Sequence, residues 1–108
     1  MNINIKASNL EMTEAIKKYI EVKMGSVEKY LGKSVQVINF DFEINKSVGG
    51  QHKGDIFRAE ANLQVPQELL RVEKTEPDLY KAIDKVKDHL ELVIKKYKEK
   101  LIDKKRGK

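Results

Sequence analysis

Cysteine is absent from the 108 residues. That excludes disulfide staples, thiolate metal sites and cysteine nucleophiles, and it fits a reducing compartment. Long uncharged runs are missing as well: none exceeds seven residues, at 34–40 and 61–67. A membrane span takes about twenty apolar residues, and a signal peptide an apolar stretch behind a basic start. The expectation is a soluble, unexported, cytoplasmic protein with no membrane partner. Groups for catalysis are equally scarce. Histidine occurs twice, as His52 in a glycine-bearing loop and as His89 near the C-terminus, and no HExxH, GxSxG, Walker or GxGxxG pattern is present. Asp84 and Asp88 stand four apart, the spacing of a shared divalent ion, but Lys81, Lys85 and Lys87 flank and balance them. Gly49 and Gly50 are explained by a hairpin loop, since no strand-to-helix turn follows them. No enzyme, metal, cofactor or small-molecule substrate is expected.

What the chain does contain is enough for one modest core. Leu, Ile, Val and Phe number 31 of 108, well above the roughly one-fifth below which a highly charged chain stays unfolded. The length suits a single domain. Its net charge of +5 is unevenly spread. Residues 81–108 hold 11 Lys/Arg against 5 Asp/Glu, a net of +6, and residues 1–80 hold 11 against 12, a net of −1. Clustered cations of this kind attract polyanions, because neutralising phosphates releases condensed counterions.

The hydrophobic period changes along the chain. Residues 2–7 alternate, with Ile3, Ile5 and Ala7 on one face of a strand. From Thr13 onward Ile16, Ile20, Met24, Val27 and Leu31 recur at three- and four-residue spacing, which predicts a helix over 14–31 capped by Thr13. Ile38, Phe40, Phe42 and Ile44 alternate with polar residues, as do Phe57, Ala59, Ala61, Leu63 and Val65, giving two further strands. Pro66 marks a hairpin into a fourth strand over 67–74, and 45–54, with three glycines, reads as a mobile linker. Thr75 and Asp78 pair as a helix cap, with Pro77 in the first turn of a helix of about 25 residues. The order β-α-β-β-β-α predicts an α+β two-layer sandwich, a four-stranded sheet with both helices on one face and water on the other. Phe40, Phe42, Phe57, Leu63, Ile83, Val86 and Leu90 are its expected core.

On a helical wheel Lys85, His89, Lys96 and Lys100 fall along one border of the last helix's buried face. The acids Asp84, Asp88 and Glu91 lie elsewhere on that wheel, so the border reads as a phosphate rail of about 22 Å. Lys18 and Lys29 in the first helix, with Lys104, Lys105, Arg106 and Lys108 in the tail, are candidates to extend it. Border lysines that merely reach past the core into water would give the same pattern.

Two runs carry a resemblance. Asp78, Leu79, Tyr80, Lys81, Ala82, Ile83 and Asp84, followed by Asp88, Leu90, Lys96, Tyr97 and Lys98, resemble the signature of the ribosome hibernation promoting factor (ribosome-associated inhibitor) family. Residues 9–17, then Lys23 and 27–30, are similar to that family's first helix. The resemblance spans nearly the whole chain and implies a β-α-β-β-β-α fold similar to a double-stranded-RNA-binding domain. By implication 1–102 is a single ribosome-binding domain of the short form. The cationic run after the last apolar turn at Leu101 and Ile102 predicts, from the sequence itself, a basic disordered tail over 103–108. The implied partner is the small ribosomal subunit and its rRNA, bound in the channel that otherwise takes mRNA and tRNA, with translation silenced in starved or stationary cells. The implied contact edge falls on Lys23 and on positions 89, 92 and 96; Ser26, His89 and Leu92 stand where the family is usually basic. Two other readings remain: a general structured-RNA-binding domain, and a protein-interaction module, since relatives were once labelled sigma-factor modulators.

Overall fold

Where the alternation of the first residues gives way to three- and four-residue spacing, a helix begins, and its cap is the one expected. The Thr13 side chain, on an extended backbone, accepts a hydrogen bond from the Ile16 N–H at 3.1 Å. A computed structural model describes residues 2–48 and 54–105 of the chain. Its elements are β1 (Asn4–Ser8), α1 (Glu14–Leu31), β2 (Asn39–Val48), β3 (Asp55–Val65), β4 (Glu68–Glu76) and α2 (Leu79–Lys105). They form the expected α+β sandwich, with sheet order β1-β2-β3-β4. β1 runs parallel to β2, and the β2–β3 and β3–β4 pairs are antiparallel. The parallel pair needs a crossover, and α1 supplies it.

Period two decides which strand residues turn inward. Phe40, Phe42 and Ile44 of β2, Ala59, Ala61, Leu63 and Val65 of β3, and Leu70 and Val72 of β4 are buried. Ile20, Met24, Val27 and Leu31 of α1 join Leu79, Ala82, Ile83, Val86, Leu90, Ile94 and Tyr97 of α2 to cover them. α2 packs on β3 and β4, and α1 packs beside α2. Phe57 is only half-buried, and Ile38, which precedes β2, is exposed while its N–H donates to Gln64 O.

Three boundaries differ from the sequence reading. β2 continues to Val48, pairing 45–48 with 58–55 of β3, so the expected linker shrinks to a short link of which 49–53 lie outside the described residues. Thr75 is not a cap: β4 runs on to Glu76 and commits Thr75 to a ladder position opposite Arg58. Asp78 caps α2 alone, its Oδ1 accepting from the N–H groups of Tyr80 at 2.9 Å and Lys81 at 3.4 Å, and Pro77 precedes the cap rather than entering the first turn. α2 extends through Lys105, so 103–105, expected in a disordered tail, are helical, while 106–108 lie outside the described residues. With two orphan N–H groups depending on one carboxylate, Asp78→Ala is expected to lower stability by about 1 kcal/mol in urea denaturation.

The turn after β3 has only Pro66 and Gln67, and Gln67 takes a positive φ of 70°. The Gln64 amide braces it, donating to Val65 O at 2.9 Å and Glu68 O at 3.0 Å. On the water-facing side of the sheet Glu43, Glu60 and Glu73 stand directly opposite one another. Such like-charge neighbours repel. Arg58 at 3.2 Å and Arg71 at 2.6 Å both engage Glu60 and offset that repulsion.

Candidate nucleic-acid interface

α2 lies between α1 on one flank and β4, the edge strand, on the other. Its cations therefore sort into two rows with different surroundings.

Lys85, His89, Leu92, Lys96 and Lys100 are exposed on the α2 border that the wheel marked, and this border faces β4. The wheel takes account only of a helix's own acids, and β4 brings two more. Lys85 Nζ lies 2.5 Å from Glu76 Oε2, with Lys81 3.9 Å from the other oxygen. The Lys85 ammonium bonded to it holds the Glu76 carboxyl below the usual carboxylate range. Lys100 Nζ lies 3.4 Å from Glu68 Oε1. Both ends of the expected rail are thus tied to the edge strand. Its middle is not: His89 and Lys96 have no hydrogen-bond or ion-pair partner among the described residues.

β4 also contributes a cation that the sequence reading missed. Lys74 pairs with Ala59, a buried residue, and so shares the helix-facing parity of Leu70 and Val72. It lines a shallow groove with Lys85, Asp88, His89 and Leu92, and it too is without an ion-pair partner among the described residues. The signal was present in the alternation 70, 72, 74, where a lysine on the inward face at the end of an edge strand reaches past the core.

The other flank holds Lys23, which does not join this row. Its Nζ lies 3.3 Å from Asp84 Oδ1 and 5.2 Å above the Tyr19 ring. Tyr19 donates its hydroxyl to the same Asp84 oxygen at 2.5 Å, and bonding to that carboxylate pushes the phenol up to about 12. Tyr80 meets Tyr19 edge to face, centroids 4.7 Å apart. Asp84 therefore clamps α1 to α2, while Asp88 is exposed and lies 3.8 Å from Lys87, so the two carboxylates do not converge on one point. Lys98 donates to the Tyr30 carbonyl at 3.1 Å. Lys18 and Lys29 are exposed on α1 without partners among the described residues. Lys104 and Lys105 belong to the last turn of α2, and Arg106 lies outside the described residues.

Residues 3–102 match the family described as sigma 54 modulation protein / S30EA ribosomal protein. The chain belongs to that family. A relative from Lactococcus lactis subsp. cremoris, a ribosome hibernation promotion factor, is 33% identical over 101 residues, covering 94% of this chain and 51% of the relative. The chain thus spans about half the length of that relative. The ribosome-associated factor Y of Haemophilus influenzae is 30% identical over 100 residues, covering 93% of this chain and 85% of its own. Among solved structures, the crystal structure of the Thermus thermophilus Protein Y N-terminal domain superposes with a TM-score of 0.68 at 34% identity, covering 90% of this chain and 99% of that one.

Proposed function

We propose that this chain is a non-enzymatic, cytoplasmic translation-silencing factor that binds the small ribosomal subunit and its rRNA, occupying the channel otherwise taken by mRNA and tRNA. The family and its relatives named for ribosome hibernation support the ribosome as partner. The observation that carries the site is the α2–β4 groove, where Lys74 and His89 stand, with Lys96 further along the same border of α2, all three without ion-pair partners among the described residues.

In this reading phosphates enter along the groove at the unpaired cations and then replace Glu76 on Lys85 and Glu68 on Lys100. Each such exchange swaps one exposed ion pair for another and releases counterions from the RNA, so affinity falls with added salt. Lys18, Lys23 and Lys29 on α1, with Lys104, Lys105 and Arg106 at the end of the chain, widen the positive field and steer the encounter. The domain, 1–102, needs no cofactor or metal for this.

Cosedimentation of the purified protein with separated ribosomal subunits tests the reading. The protein is expected to travel with small subunits and to be displaced when mRNA and tRNA are added together. Equal binding to free duplex RNA and to intact subunits would point to a general structured-RNA binder. Salt-insensitive capture of a protein, with no subunit binding, would point to an interaction module.

A further inference from the structure

His89 is the one imidazole among the described side chains that line the groove. It is exposed, four residues after Lys85 and seven before Lys96 on the same border of α2, and Lys74 of β4 lines the groove with it. Two carboxylates stand near it. Asp88 of α2, largely exposed, lines the same groove and lies 3.8 Å from Lys87; Glu76 of β4 is held by Lys85 and Lys81. In the free protein no described carboxylate is bonded to His89. A bound phosphate supplies an anionic partner. Placed between Lys74, Lys85 and His89, it neutralises the two lysines and offers the imidazolium N–H an anionic acceptor.

We propose that Lys74, Lys85 and His89 form one phosphodiester subsite that takes up a proton on His89 as it fills, so that mild acidification strengthens binding. The inference rests on the nucleic-acid reading of this groove and adds to it a proton as co-ligand. Histidine side chains change charge between about pH 5 and 8. The sign follows from linkage: the bound state holds the proton more tightly, so affinity is highest at low pH. It falls as pH rises through the histidine's titration and levels off once His89 is neutral in both states.

The test measures affinity for purified small ribosomal subunits at fixed salt from about pH 6 to pH 8, using the full chain, His89→Gln and His89→Lys. The unsubstituted protein is expected to lose affinity with rising pH by at most about tenfold per unit, the limit for one proton. His89→Gln should be weak and flat, and His89→Lys tight and flat, across the same range. A His89→Gln profile as steep as that of the unsubstituted protein overturns the proposal. A second measurement follows the His89 ring protons by NMR, assigned by their loss in His89→Gln, with and without an RNA hairpin. The titration midpoint should rise when the hairpin is added, and an unmoved midpoint overturns the subsite. If the midpoint rises while no variant cosediments with subunits, the subsite stands and the ribosomal reading falls.

Discussion

Lys85→Glu combined with Lys96→Glu is expected to abolish cosedimentation with small ribosomal subunits while the protein still melts cooperatively. Both side chains are exposed on the β4-facing border of α2, so reversing their charge removes no apolar packing from the core. The reversal at 85 also sets a carboxylate beside Glu76, so the groove loses two cations and gains local repulsion against any phosphate. The slope of log K against log salt should flatten by roughly 0.7 to 0.9 for each phosphate that is no longer neutralised. Lys6→Glu with Lys17→Glu is the matched control. It changes the net charge equally, but Lys6 lies on β1, at the sheet edge opposite β4, and Lys17 on the crossover helix that follows it. Equal weakening by the two doubles would mean that net charge alone governs binding, and the α2–β4 site would then be withdrawn.

Leu90→Ala is expected to cost about 2 to 5 kcal/mol in urea denaturation, and Leu92→Ala no more than about 0.5 kcal/mol. The two leucines are two positions apart on α2 and differ in the face they occupy. Leu90 is fully buried against the sheet, where truncation opens a cavity among packed side chains; Leu92 is 59% exposed at the rim of the groove. Similar losses for both would show that the buried face of α2 is wrongly placed.

The elements were legible because each rests on local information. Alternation at 40, 42 and 44 and at 59, 61, 63 and 65 marks strands whose other face meets water, and the spacing from Thr13 marks α1 together with its cap. The boundaries that differed are those settled by a neighbour in space. Thr75 and 45–48 carry turn or cap chemistry in isolation, yet each finds a ladder partner on β3 once the sheet forms. The candidate site follows the same division. One helix's periodicity places Lys85, His89, Lys96 and Lys100 on one border, but whether each charge is free depends on Glu68, Lys74 and Glu76 of β4. Lys23 likewise reads as an exposed helix cation until α2 brings Asp84 to it. Ion pairing between elements has no period, so the sequence carried no sign of it.

The sheet closes on two very different scales. β3 and β4 are joined by two residues, and β2 and β3 by a short link, so this meander and the α2 that packs on it assemble from contacts close along the chain. Asn4 of β1, by contrast, meets Asp41 of β2 across 37 positions, and that loop closes only when α1 has folded back between them. Loop closure of that length costs entropy before any ladder hydrogen bond forms. With five residues and one free edge, β1 has little to set against it. β1 is therefore expected to join last and leave first, and hydrogen exchange is expected to find its amides less protected than those of β3, which has a neighbour on both sides.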